Sequence, residues 1–289
     1  MAETTTGSLA DSKQTIIDSA RIVREYEGTF MRTTDATTLP EGTGMSWEEI
    51  SLSRLTAQTI SETTILNNPQ SLADTLFTVT PQQAGLNYVV TDEVYRRLPK
   101  KVTGKFGPLG QNAIQRKKDG DYLAMAATAT TTLAGTATSL QSGHLAAAAT
   151  RIRSNVTEPG QGAIHCVHHG YPLKDIRDEI VSPVGTYSFS DMPEDVFRRG
   201  LKGVTVDSVS VWEDGNVAIN STPDARGMVH SQDAIVMVQG YSPRTATKRR
   251  EEFGGGADEM FHYDQYAFGE RSAGNWLFGL LNDATVPSN

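Results

Sequence analysis

GPLGQNAIQRKKDGDYLAMAATATTT, residues 107–132, is the long stretch whose periodicity organises the rest of the chain. Pro108 suits a first helical turn, where its missing N–H costs nothing. Ala113, Gly120, Ala124, Ala127 and Thr131 then recur on one face, with Ile114, Met125 and Ala129 beside them. A face of small residues lets another backbone approach closely. Arg116, Lys117, Lys118, Asp119 and Asp121 are expected to crowd the opposite, solvated side. The spacing predicts one long amphipathic helix.

Around it, 289 residues suffice for one large domain or two. The chain is 38% hydrophobic and only 7% aromatic, with threonine abundant, which favours extended structure and thin layers. A formal net charge of -8 argues against binding nucleic acid by phosphate neutralisation. A lone cysteine, Cys166, excludes an internal disulfide. The start reads neither as a signal peptide nor as a membrane span, and no eighteen apolar residues run together, so a cytoplasmic, membrane-free protein is expected.

Before the long helix, residues 12–30 read as a short, weakly amphipathic helix, and the threonine-rich residues 29–44 as an extended arm. Ser46 and Glu49 suggest a capping box for a helix through Leu55. Residues 76–91 read as two strands around a Pro81–Gly85 loop, a hairpin with no obvious third strand. Such a hairpin is marginal alone. Either it joins a sheet elsewhere in the chain or it is a flap supported by another copy.

After the long helix the pattern changes to α/β alternation, and a second domain is placed from about Gln141. Helices are expected at 144–153, 172–180 and 193–200, and strands at 163–167, 204–212, 234–238 and 276–281. Residues 260–271 alternate aromatic and polar side chains, and residues 245–256 read as a charged, glycine-rich surface loop.

Catalytic and metal signatures are weak. His165, Cys166, His168 and His169 lie in HCVHHG, but strand alternation sends His165 to one face and Cys166 and His168 to the other, so no metal site is expected. GxSxG, GxxxxGK[ST], strand-linked GxGxxG and HExxH are all missing, so neither an enzyme nor a bound cofactor is expected. Lys248, Arg249 and Arg250 are followed at once by Glu251 and Glu252, which argues against a nucleic-acid patch.

In order, the chain carries an N-terminal arm, the TP..G hairpin leading to TD, AIQRKKDGDYL in the long helix and HGYPLKDIRDEI. GVTVDSVSVWED, SQDAIVMV and YAFGERSAGNWLFGLLND follow. This order resembles the major capsid proteins of tailed bacteriophages, the Hong Kong 97-type fold. The resemblance implies an α+β chain with an N-terminal arm at 1–45, an extended hairpin loop and its flanks at 46–106, and a peripheral-domain spine helix at 107–140. It implies an axial domain at 141–240, a return through the peripheral domain at 241–274, and a return to the axial domain at 275–289. It further implies a virion shell subunit, assembled in the host cytoplasm, that partners itself in hexamers and pentamers. A portal, a separate scaffolding protein and a cement protein would be further partners, and double-stranded DNA would be enclosed without sequence-specific binding. Candidate subunit-interface residues are Phe77, Pro81 and Tyr88 in the hairpin and Arg116, Lys117 and Lys118 on the helix, the basic trio pairing with Glu48, Glu49 or Glu93 of other arms or subunits. An encapsulin-like compartment subunit and an enzyme are the competing readings.

Overall fold

The computed structural model describes residues 28–63, 69–98, 103–181, 205–272 and 274–288. In chain order the elements begin α1 (Phe30–Thr33), β1 (Asp35–Thr38), β2 (Trp47–Leu52), β3 (Asp74–Val79), β4 (Gln82–Thr91) and α2 (Asp92–Arg97). The helix α3 (Phe106–Ala124) follows, then a 3-10 turn (Met125–Ala127), β5 (Thr132–Ala134), α4 (Ser142–Arg153), β6 (Ile164–His168) and α5 (Gly170–Val181). The last strands are β7 (Thr205–Val206), β8 (Val209–Glu213), β9 (Asp224–Ser231), β10 (Ile235–Arg250), β11 (Ala257–Glu270) and β12 (Leu277–Asp283).

Six strands form a mixed sheet in the order β5-β12-β9-β6-β8-β7. Its central strand β6 is buried at every residue, which is why IHCVH reads as a continuous run rather than an alternation. On one face Ile164 and Cys166 meet Leu145, Ala148, Ala149 and Ile152 of α4 and Leu173 and Ile176 of α5. On the other, Val167 joins Met228, Leu277 and Tyr122. Both helices form where the alanine-rich and Leu173/Ile176 patterns put them, because each lays one apolar stripe on the sheet.

The second sheet has the order β1-β10-β11-β4. Chain membership passes from one sheet to the other between Ser231, the end of β9, and Ile235, the start of β10. Helix α3 crosses β11 and β4, but not on the small-residue face expected of it. Its buried row is Gly110, Ile114, Lys118 and Tyr122, with Asp119 and Leu123 beside them, while Gly120 is exposed. Gly110 decides the closest approach: a Cβ there would run into the His262 ring of β11. The α-helix also stops at Ala124, and residues 132–134 are already a strand.

Other expectations change for identifiable reasons. The expected helix near 46–55 is strand β2, antiparallel to β3 over Trp47–Leu52, with Trp47 and Phe77 edge to face at 6.2 Å and 82°. The expected 76–91 hairpin does not exist, because β3 pairs with β2 while β4 pairs with β11 over all ten of its residues. Pro81, which has no N–H to give a ladder, lies buried where the chain leaves one sheet for the other. The arm is anchored to its own chain at its described end: Phe30, Thr33 and Thr34 are buried, and β1 runs parallel to β10 from Asp35↔Val236 to Thr38↔Gln239.

The expected 204–212 strand is a hairpin. Asp207 and Ser208 take φ of 48° and 67°, both left-handed, between β7 and β8. Residues 245–250 are not loop but the end of β10, paired with β11 through Arg250↔Ala257. The expected helix over 193–200, and that over 12–30 as far as residue 27, lie outside the described residues.

Candidate assembly surfaces

The ribbon of β2 and β3 is a two-stranded sheet of its own. One face points to the body: Val79, Trp47 and Phe77 pack with Leu39, Val236, Val238 and Ala267. The other carries Ile50 directly opposite Leu76, which are 61% and 55% exposed. Leu52 lies on that face too, and Leu55, Ile60 and Leu72 are exposed just beyond the strands. Exposed apolar side chains clustered along one projection mark a contact surface, whereas scattered ones need no explanation. Acidic Glu48 and Asp74 share the outer face with the apolar residues.

Arg271 ties the ribbon to its root. Its Nε donates to Glu49 Oε2 at 2.7 Å, its Nη2 lies 2.7 Å from Asp35 Oδ2, and its Nη1 donates to the Asp233 carbonyl at 3.2 Å. The guanidinium also lies over the Trp47 ring at 5.8 Å. One side chain thus joins ribbon, arm strand and the turn between the two sheets. Nothing local in the sequence around Arg271 signals this, since Glu49 and Asp35 lie 222 and 236 residues earlier in the chain.

The sequence-proposed interface residues are scattered. Phe77 packs inward at the ribbon root, and Pro81 is buried. Tyr88 is half-buried on β4, donates its hydroxyl to the Phe106 carbonyl at 2.8 Å and stacks on His262 at 5.8 Å. Burial raises its phenol above the ordinary value. Arg116 is exposed on α3, and Lys117 pairs with Asp121 one turn on, at 2.9 Å. Lys118 corrects the solvated-trio reading: it is 4% exposed, its ammonium 2.7 Å from the buried Asp264 and 5.0 Å from the Tyr266 ring centroid. Of the acidic residues expected to meet the trio, Glu49 pairs with Arg271 and Glu93 with Arg97, while Glu48 lies exposed on the ribbon's outer face. The signal for Lys118 was its i, i+4 place in the Gly110–Ile114–Lys118–Tyr122 row.

The arm root is held by polar groups that sequence reasoning did not single out. Thr33 Oγ1 and Tyr122 Oη are 2.7 Å apart, and Tyr122 Oη lies 2.8 Å from His230 Nε2. Complete burial holds the His230 imidazole down at about 4, and His168 at about 3. His165 faces Trp212 and His230, with ring centroids 6.3 and 6.1 Å away, while Cys166 is buried with α4 and α5, where desolvation pushes its thiol up to about 12. Among the described residues no group of three or more His, Cys, Asp or Glu is placed to hold a metal. The two arginines of the Lys248–Glu252 stretch are paired: Arg249 grips Asp92 through two 2.6 Å bonds, and Arg250 meets Glu259 at 2.6 Å.

No family model and no curated protein matches the sequence. Solved structures do match. The acid-stable capsid structure of Helicobacter pylori bacteriophage KHP30 aligns with a TM-score of 0.74 and 11% identity, covering 98% of this chain and 99% of that one. The capsid of cyanophage P-SCSP1u aligns at 0.68 and 12% identity, over 98% and 96% of the two chains. The cyanophage Pam1 capsid aligns at 0.70 and 8% identity, over 96% and 98%. At such identities the shared property is the fold, and it extends over nearly the whole length: this chain has the α+β fold of phage capsid subunits.

Proposed function

We propose that the chain is the major capsid protein of a tailed bacteriophage, a subunit that assembles with copies of itself through hexamers and pentamers into an icosahedral shell around double-stranded DNA. One observation carries the reading: a ribbon with Ile50, Leu52, Leu72 and Leu76 exposed, on a chain whose fold matches capsid subunits end to end. A second copy would bury that apolar face, since repeating one contact in every subunit is how a closed shell is built. The absence of any need for a catalytic cluster fits a structural role.

In this reading the ribbon is the extended loop, α3 with the four-stranded sheet is the peripheral domain, and the six-stranded sheet with α4 and α5 is the axial domain that meets at capsomer centres. The site of action is the virion, after assembly in the host cytoplasm. A portal and a separate scaffolding protein complete the assembly, and a cement protein is compatible with it. The net charge of -8 supports enclosure of DNA without adhesion to it, because each basic phosphate contact would add salt-dependent affinity. Electron microscopy and sedimentation of the purified protein test the proposal. Closed shells of uniform size are the expected result, and particles recovered from producing cells should hold double-stranded DNA. Particles filled with an enzyme would favour an encapsulin-like compartment, and a protein that stays monomeric under all conditions would refute the shell reading.

A further inference from the structure

Where the arm leaves the body, two buried carboxyl groups meet. Asp119 of α3 and Asp214, just after β8, are 1% and 0% exposed. Thr29 donates its backbone N–H to Asp119 Oδ1 and its hydroxyl to Asp214 Oδ2, both at 3.1 Å. Asn216 donates its side-chain amide to Asp119 Oδ2 at 2.8 Å and its backbone N–H to Asp214 Oδ1 at 2.9 Å. Each of the four oxygens therefore accepts one of these neutral donors, and Thr29 and Asn216 each bridge the two carboxyls. Gly28 lets the arm pass close to this pair, since a Cβ there would lie 2.7 Å from Asp119 Oδ1.

Two full charges this close repel strongly in a dry interior, and one shared proton removes the repulsion. We propose that the Asp119–Asp214 pair is a proton-dependent latch, which locks the arm root onto the body while one proton is shared and lets the root open when both carboxyls are charged. Thr29 is the moving part, because it contributes a donor to each carboxyl. Opening the root frees Thr29 and lets water reach both groups.

Burial pushes the Asp119 carboxyl up to about 7; donation from Asn216 opposes this and the Asp214 charge adds to it. The other titratable or charged groups around the pair are Lys118 and Tyr122 on α3, Arg32 on the arm, His168 and His169 at the end of β6, and Glu213 on β8. Lys118 is committed to Asp264, and the Arg32 guanidinium lies 5.7 Å from the Trp212 ring centroid. Burial lowers His168 to about 3 and His169 below its ordinary value, and raises Tyr122 well above its own. His168 and Tyr122 thus titrate outside pH 6 to 8, where the latch should act.

The latch is a property of the single folded chain, so its test is independent of the shell reading. Hydrogen exchange of residues 28–34 in the full-length unassembled subunit is measured at pH 6 and pH 8 and corrected for intrinsic exchange. The opening equilibrium at Thr29 is expected to rise about tenfold between the two, the signature of one proton released around pH 7, while β6 and α4 stay unchanged. Asp119→Asn should remove the pH dependence. Should that variant not fold, Thr29→Val, which deletes only the hydroxyl donor, should open more at both pH values and keep the tenfold ratio. Corrected protection at Thr29 that is equal at pH 6 and pH 8 in the wild type would overturn the proposal, as would a tenfold ratio that survives in folded Asp119→Asn.

Discussion

Strands β6 and β3 are nearly the same length, five and six residues, and both carry bulky apolar side chains, yet their surroundings are opposite. β6 has a partner on each side and a packed layer on each face, so all five residues are buried. β3 has β2 alone, and only Val79, at the root, is buried. Hydrophobicity is therefore satisfied inside the chain in one case and left unsatisfied in the other. A two-stranded ribbon is marginal in water by itself, so the apolar outer face of β2 and β3 makes sense as a surface completed by another copy. Core and ribbon should consequently respond to substitution in different assays.

The largest effect on the subunit itself should come from Lys118→Ala, which leaves the fully buried Asp264 carboxylate without its cation. Breaking one side of such a pair typically costs about 3–5 kcal/mol, and denaturant unfolding of the unassembled protein would measure it. A loss under about 1 kcal/mol, the range of surface ion pairs, would mean that water reaches this pair. Next, Leu145→Ala, in the core under α4, should cost about 2–5 kcal/mol. Leu76→Ala, on the ribbon, should change subunit stability by no more than about 0.5 kcal/mol. Equal losses at the two sites would break the comparison between core and ribbon.

Stability against pH sharpens it from another side. His168 and His230 have folded values near 3 and 4, below their unfolded value of 6.5, so their contribution is complete above pH 6.5 and is lost as pH falls. Asp119, raised to about 7, contributes most below pH 4 and loses that contribution as pH rises through 7. Between about pH 4.5 and 6 the unfolded chain thus binds two protons that the folded chain refuses, against one held only when folded. From these three groups, stability should climb by about 1.4 kcal/mol per pH unit there and level off near pH 7, where the proton leaving Asp119 offsets those the two histidines no longer take up on unfolding. Thermal melts across pH 4.5–8 would show the climb and the plateau, and Asp119→Asn should roughly double the steepness of the climb. The smallest effect should be that of Lys117→Glu. It breaks an exposed pair with Asp121 and should cost about 0.5 kcal/mol or less, weakening further in high salt.

What the sequence disclosed follows the same division. The packed units were legible, because α4, β6 and α5 each take their pattern from one local stripe or run: the alanines of 146–149, IHCVH, and Leu173 with Ile176. Pairings between distant segments were not. Leu76 to Thr91 looks like a hairpin because strand, Pro81, Gly85 and strand follow each other, but the register of β4 is set by β11, from Thr91↔Ala257 to Gln82↔Tyr266. Lys118 and Asp119 look like part of a solvated face, since charge ordinarily stays outside, and only Asp264, Thr29 and Asn216, far along the chain, make their burial tolerable. The ribbon's exposure was anticipated in kind, as a projecting flap, and misplaced in position.

The central claim, that the ribbon exists for contact between copies and not for the stability of one, meets its most direct test in a shortened ribbon. Glu49 and Phe77 are cross-strand partners, so an Asn-Gly turn joining them would remove Ile50 through Leu76 and keep Trp47, Phe77 and Val79 on the body. Sedimentation velocity of the intact and shortened proteins under identical assembly conditions, with thermal melts of both subunits, gives the answer. The account predicts the same melting temperature for both, with closed shells from the intact chain and none from the shortened one. Shells from the shortened chain, or a shortened subunit that no longer folds, would contradict it.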